Sequence, residues 1–217
     1  NERIWINGEN SSDEILEETH QKMLKIIPTS IVDKLTYFEY TTLMALKISS
    51  NFDYLVLEAG LGGESDATNI VNNDLSLITT IDYDHQSFLG DTIEEIAGTK
   101  MRASNNVMII GHQIHEGVEK VAYDIKKDLY FNEKKRLEIR NYNMPLVNLD
   151  SLDFPIYLKK NLKLAINALK YLKYDINLEY FEDLILQGRC QKIAPNITID
   201  VGHNPLAAKA LAKVFEG

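Results

Sequence analysis

Four short apolar runs divide the chain: Tyr54-Leu-Val-Leu57, Leu75 to Ile81, Asn106 to Ile110, and Ile197 to Ile199. They are nearly continuous in apolar character rather than alternating, which is the pattern of buried strands covered on both faces. Between most of them the spacing predicts helices over about 91–101, 115–127 and 158–173. Strand, helix, strand in this order predicts an α/β fold with a mainly parallel sheet and flanking helices.

Ahead of these runs, Arg3-Ile-Trp-Ile-Asn7 alternates and then meets Gly8, which predicts a short strand and a turn. Ser11, with Glu14 three residues later, predicts a capped helix that reaches Ile27 and stops at Pro28. A second helix is predicted from about Thr36 to Ile48, where Phe38, Leu43 and Leu46 fall near helical spacing. The segment 128–157, punctuated by Pro145 and Pro155, reads as irregular structure or a short extra sheet near a domain junction.

Composition narrows the class. The 217 residues suffice for one sizeable core, or for one domain and part of another. A net charge of −9 argues against a general affinity for nucleic acid, which needs a basic footprint, and Lys134-Lys135-Arg136 reads as a solvated face. No apolar run approaches the roughly 20 residues of a bilayer helix, so no membrane partner is expected. The opening Asn1-Glu2-Arg3 leads to no expectation of a secretory leader, and the single cysteine, Cys190, cannot form an internal disulfide. A reducing cytoplasm is the expected location.

The chemistry collects at strand ends, where open parallel sheets bind ligands. Leu55-Val-Leu57 delivers Glu58 and then Gly60-Leu-Gly-Gly63, whose glycines allow either an ordinary turn or close approach of backbone to a ligand. The next run ends in Asp82-Tyr-Asp84-His85, a load of acids and imidazole that suits a metal or catalytic site, or a hydrogen-bonded structural histidine. Asp91, with Glu94 three residues on, opens a helix that carries Lys100 on its last turns; by composition alone Lys100 is a surface lysine. Finally, Ile199-Asp200-Val-Gly-His203-Asn204-Pro205 leads into an alanine-rich helix, a turn suited to phosphate or ribose, or simply a helix cap.

Taken together these residues resemble the folate-conjugating branch of the Mur ligase superfamily, folylpolyglutamate synthase and dihydrofolate synthase. The likeness rests on Tyr54-Leu-Val-Leu-Glu58-Ala-Gly-Leu-Gly-Gly63 with Asp66-Ala-Thr-Asn69, and on Asp84-His85 with Phe88-Leu-Gly-Asp-Thr92, Ile96-Ala97 and Lys100. Gly188-Arg189, the Asp200 to Pro205 motif, and Asn1-Glu-Arg-Ile4 with Asn7-Gly8 extend it over most of the chain.

The resemblance implies a Mur-ligase-like central ATPase domain over 1–187 and the beginning of a smaller α/β C-terminal ligase domain over 188–217. It implies an ATP-dependent ligase in which ATP phosphorylates the carboxylate of dihydropteroate or a folate and L-glutamate displaces the phosphate. Glu58 and His85 would hold Mg²⁺, together with a carbamylated Lys100. Asn161, Arg189, Asp200 and His203 would contact ATP, with Lys100 and His203 the catalytic residues. Tyr37, Phe38 and Glu39, with Ser65, Asp66 and Ala67, would line the pterin-acid pocket. The expected partners are these small molecules alone, and the expected state is a monomer.

Departures from the pattern qualify this expectation. No Gly-x-x-x-x-Gly-Lys-[Ser/Thr] loop occurs in the 217 residues, so the chain by itself is expected not to turn over. The expectation is that segments before residue 1 and after residue 217 were removed or left out. Where the family shows His-Gln-x-x-Asn, this chain reads Tyr157-Leu-Lys-Lys-Asn161, and Glu64 stands where Arg is common. The competing readings are a Mur-type peptidoglycan-precursor ligase and a non-catalytic binding fragment.

Overall fold

The computed structural model describes residues 3–141, 148–182 and 184–216, so Asn1, Glu2, Pro145 and Gly217 of the sequence reading lie outside the described residues. The chain forms two compact units, Asn1–Val71 and Asn72–Gly217.

The first unit begins with a hairpin of β1 (Trp5–Ile6) and β2 (Glu9–Asn10). Its turn places Asn7 at φ 53° and Gly8 at φ 90°, the left-handed pair that a two-residue hairpin demands. Then come α1 (Asp13–Leu24), a short α2 (Thr29–Val32) and α3 (Tyr37–Ile48). The cap of α1 is Ser12, whose side chain accepts from the Ile15 amide. The expected cap, Ser11, is instead buried, and its own amide donates to the Ile4 carbonyl at 2.9 Å. The helix stops at Leu24, ahead of the expected Ile27, and Pro28 becomes the residue that starts α2. Thr36 and Glu39 close a full capping box on α3. Ile4, Met23 and Met44 form the core of this unit.

One predicted strand is absent here. Tyr54 to Leu57 has no regular structure and joins no sheet among the described residues, and Val56 is 92% exposed. An apolar run becomes a strand only where neighbouring backbone satisfies its amides and carbonyls, and no described strand does so.

The second unit holds the parallel sheet. Its elements are β3 (Leu75–Ile78), α4 (Gln86–Leu89), α5 (Ile93–Met101), β4 (Val107–Ile110), α6 (Gly117–Asn132) and β5 (Glu138–Asn141). They continue through α7 (Ile156–Tyr171), α8 (Glu179–Glu182), β6 (Gln191–Ala194), β7 (Ile197–Ile199) and α9 (Pro205–Phe215). Strands β3, β4 and β5 lie side by side in that order, all parallel, with Leu77 opposite Ile109 and Ile109 opposite Arg140. The segment expected to be irregular or a separate small sheet thus supplies the third strand of the main one.

The strand period of two sorts β4 cleanly. Met108 and Ile110 face Ile96, Ala97 and Met101 of α5 and Val118 and Ala122 of α6, while Val107 and Ile109 pack with Leu164 of α7. Both faces are covered, which is why β4 reads as continuous apolar sequence. An asparagine pair fixes the start of this register: Asn73 Nδ2 donates to the Ala103 carbonyl at 2.7 Å, and the Asn73 amide donates to Asn105 Oδ1 at 2.8 Å.

Three further boundaries differ from expectation. Strand β3 ends at Ile78 rather than Ile81 because the Gln113 side chain takes over the pairing, accepting from the Ile81 amide at 2.9 Å and donating to the Thr79 carbonyl at 3.0 Å. Helix α5 is capped by Thr92 with Glu95, one residue beyond Asp91 and Glu94. Strand β7 is antiparallel to β6 in a separate two-stranded sheet, and its residues are exposed rather than buried. Among the described residues no helix is long and apolar enough to cross a membrane.

Candidate active site

In the first unit, the glycine-rich loop is organised by one carboxylate. Asp66 Oδ2 accepts from the amides of Gly60 at 3.0 Å and Leu61 at 2.9 Å. Its Oδ1 accepts from the amide and hydroxyl of Thr68 at 2.9 and 2.7 Å. Both oxygens are thereby committed to shaping the loop. Ser65 precedes this residue and is exposed, while Ala67 opens the 3₁₀ turn that Asp66 caps. Gly60 lies over the Phe38 ring so closely that a Cβ would stand 2.9 Å from Phe38 Cζ. The Arg3 guanidinium lies 5.3 Å from the Tyr37 ring centroid and 6.0 Å from that of Phe38. Glu39 Oε2 is taken up by the capping box, accepting from the Thr36 amide at 2.7 Å and hydroxyl at 2.8 Å. Glu58 is exposed on the segment that leads into the loop.

In the second unit, two distant motifs meet beyond the carboxyl end of β3. Asn204 Nδ2 donates to Asp84 Oδ2 at 2.8 Å, while Asn204 Oδ1 caps α9 by accepting from the Ala207 amide at 2.8 Å. This places His85 and His203 with their ring centroids 6.4 Å apart. Asp84, His85 and His203 each offer one ligand atom, and these atoms lie within 4.8 Å of one another. His85 adopts φ 49° and ψ 38°, a left-handed backbone that costs a non-glycine residue roughly 1 kcal/mol and is concentrated at functional positions. Lys100 is half-buried; burial lowers its pKa, and the nearby Asp84 carboxylate opposes that effect.

Asp200 anchors the turn that carries His203. It accepts from the Tyr157 hydroxyl at 2.7 Å and the Cys190 amide at 2.8 Å through Oδ2, and from the Gly202 amide at 2.6 Å through Oδ1. Burial alone would raise its pKa, but the Tyr157 hydroxyl, the Gly202 and Cys190 amides and the Arg189 charge outweigh this and hold it below the ordinary value. The same contact, with burial as the larger cause, drives the Tyr157 phenol strongly upward. Burial and then Asp200 raise the Cys190 thiol, which keeps it out of the thiolate form at neutral pH. Asp82, adjacent to the motif, pairs with His115 at 2.8 Å; burial pushes its pKa up, but His115 and the Tyr83 amide win and lower it.

No family model matches the chain. Among curated proteins, the dihydrofolate synthase/folylpolyglutamate synthase of Haemophilus influenzae is 33% identical over 98% of this chain and 55% of its own length. That of Escherichia coli is 31% identical over 97% of this chain and 53% of its own. Among solved structures, Helicobacter pylori folylpolyglutamate synthetase matches with a TM-score of 0.71 and 35% identity, covering 96% of this chain and 53% of that one. E. coli FolC in complex with DHPP and ADP gives 0.76 and 28%, covering 98% and 55%. Over nearly its whole length the chain is similar to dihydrofolate synthase/folylpolyglutamate synthases. It spans about half the length of the curated relatives it matches.

The remaining residues implied for a dihydrofolate synthase/folylpolyglutamate synthase are placed as follows. Asn161 is exposed on α7, one helical turn after Tyr157, so the two lie on one face. Arg189 is exposed next to the Asp200 hub. The structure brings His85, Lys100 and His203 into one neighbourhood through Asp84, and Arg189 and Asp200 into another through Tyr157. Two organising residues, Asp84 and Tyr157, received no role from the sequence. Asp84 carried a signal in being adjacent to His85, whereas Tyr157 departs from the family's usual histidine and carried none.

Proposed function

We propose that these residues belong to an ATP-dependent ligase that joins L-glutamate to dihydropteroate, to folates, or to both. The observation that carries this reading is the 2.8 Å bond from Asn204 to Asp84, which unites the Asp84-His85 motif with the Asp200 to Pro205 motif, two of those in which the family likeness is seen. The names of the relatives support it. So does a related bifunctional folylpolyglutamate synthase/dihydrofolate synthase, 26% identical, solved with Mn, AMPPNP and L-glutamate bound.

In the first half-reaction, a carboxylate oxygen of the pterin acid attacks the γ-phosphorus of ATP and ADP leaves. In the second, the amine of L-glutamate attacks the acyl carbon, phosphate departs and the amine releases a proton. Asn161, Arg189 and His203 hold ATP, with the Arg189 guanidinium placing positive charge near the phosphates. Asp200, whose oxygens are already bonded to this chain's own donors, acts by fixing the turn that presents His203. Tyr37, Phe38 and Ser65 line the pterin-acid pocket with Ala67, while Asp66 and Glu39 hold the loop and helix that form it.

Glu58, His85 and a carbamate on Lys100 would hold Mg²⁺; two carboxyl-type donors and one imidazole fit an ion that prefers oxygen. Such an ion neutralises charge on the transferring phosphoryl group. Residues 1–187 form the central ATPase domain and 188–217 begin the C-terminal domain of a cytoplasmic monomer. The test is ATP-dependent glutamate incorporation by the intact protein that carries this chain, offered dihydropteroate or a UDP-muramoyl acceptor. Turnover with dihydropteroate supports the reading, and turnover with the muramoyl acceptor alone replaces it with the Mur-type one.

A further inference from the structure

We propose that the groove between the C-terminal half of α6 and the start of β5 binds a small aromatic anion, a planar ring that carries a carboxylate or a phosphate. The groove has a volume of about 680 Å³, within the range of small-molecule pockets. It lies where Val107 begins β4 and Leu137 leads into β5, at the amino ends of the parallel strands. Asp84, His85 and His203 lie beyond the carboxyl end of β3, at the opposite edge of the sheet. The groove is therefore separate from that cluster and does not depend on the ligase reading.

Its surface is built for a flat ring. Val107 and Leu137, both buried, form the floor. Tyr123 and Tyr130, 45% and 53% exposed, form a wall, and with Lys126 and Lys127 between them they make one stripe at helical spacing. Helix α6 packs on the core through Val118, Ala122 and Ile125, so this aromatic stripe is not needed to hold the helix in place. It leaves ring faces open to stack on a ligand.

The charge of the groove is positive on a chain of net charge −9. Lys126, Lys127 and Arg136 line it, and none of the three pairs with a carboxylate among the described residues. The acid at the groove, Glu138, is taken by Arg140, whose Nε donates to it at 2.6 Å. A cleft lined by one sign of charge concentrates ions of the other. The turn after α6 sets this up: Lys134 adopts φ 58° and the Lys135 amide donates to the Leu129 carbonyl at 3.0 Å, which brings Arg136 back alongside the helix. The basic run expected to be a solvated face thus divides. Lys134 Nζ donates to the Phe131 carbonyl and Lys135 pairs with Glu133, each at 2.9 Å, while Arg136 lines the groove. A bound ring stacks on the tyrosines as its anionic group meets the lysines and the guanidinium.

The test is titration of the intact protein that carries this chain with 2-naphthoate and with 2-naphthyl phosphate, followed by naphthyl fluorescence. Saturable binding is expected at about 1 mM or tighter, as suits so small a ligand. Arg136→Ala and Tyr130→Ala should each weaken it by about tenfold, and Lys22→Ala on α1 should leave it unchanged. Tighter binding of the phosphate or of the carboxylate supports the site and says which anion it takes. Because other parts of the intact protein can also bind aromatic acids, lysine acetylation locates the probe without any substitution. At about ten times the dissociation constant, the probe should slow acetylation of Lys126 and Lys127 about tenfold and spare Lys22. Unprotected Lys126 and Lys127 at saturation, or no saturable binding, overturns the proposal. Equal affinity for neutral 2-naphthamide, or for inorganic phosphate alone, overturns it as well, since the groove would then select only a ring or only a charge.

Discussion

Asn204 holds Asp84 and α9 at once: its amide nitrogen donates to the Asp84 carboxylate at 2.8 Å while its oxygen accepts from the Ala207 amide at the same distance. Replacing it with Ala removes both bonds. The expected loss is about 1–2 kcal/mol, the range for deleting a helix N-cap, measured by urea unfolding. Asn204→Asp keeps the cap acceptor but sets a second carboxylate against Asp84. It should therefore be less stable than the parent at neutral pH and recover as the pair is protonated in acid.

The Tyr157 to Asp200 bond has a pH signature. The Asp200 pKa is lowered in the folded chain, so its contribution to stability is fully present above the unfolded value of about 3.9 and is lost as pH falls through the lower folded value. Tyr157→Phe removes the strongest of the interactions that lower it. The variant should lose roughly 1.5–3 kcal/mol at pH 7, as for a hydrogen bond to a charged group, and show a shallower fall in stability as pH drops below about 4. Chemical unfolding at a series of pH values reads both effects.

Asp66 is expected to be the residue on which the glycine loop depends. Asp66→Ala strands two amides of the loop and both donors of Thr68, and should free residues 60–69 for cleavage by a nonspecific protease. Asp66→Asn retains one acceptor oxygen and should give intermediate protection. Equal cleavage rates in all three proteins would show that the loop is held in some other way.

The proposed carbamylation of Lys100 has a direct test. Incubated with ¹³C-labelled bicarbonate, the intact protein should give a carbamate carbon resonance that Lys100→Ala lacks, together with loss of glutamate incorporation in that variant. Full activity in Lys100→Ala would remove the lysine from the reaction.

Much of the second unit was legible because its signals are local. The unbroken apolar run of β4 reports cover on both faces, and the flanking helices followed from spacing. Where neighbouring residues could both cap, spacing alone does not choose: burial removes Ser11 and leaves the cap of α1 to Ser12, whereas Asp91 and Thr92 are both exposed and it is Thr92, paired with Glu95, that caps α5. Tyr54 to Leu57 and Ile197 to Ile199 have strand-like composition, yet their state depends on which backbone lies alongside, a non-local fact. The link from Asn204 to Asp84 is non-local too. The two motifs could be recognised separately, but only the fold places His85 next to His203.

The central claim is that this chain is part of a ligase that acts on a pterin acid, and glutamate transfer by the intact protein tests it most directly. With ATP, Mg²⁺ and labelled L-glutamate, the account predicts label in a dihydropteroate or folate product, and none when the 217-residue chain alone is supplied, since those residues contain no glycine-lysine phosphate loop. An intact protein that folds and binds ATP yet transfers no glutamate to any pterin acid would contradict it.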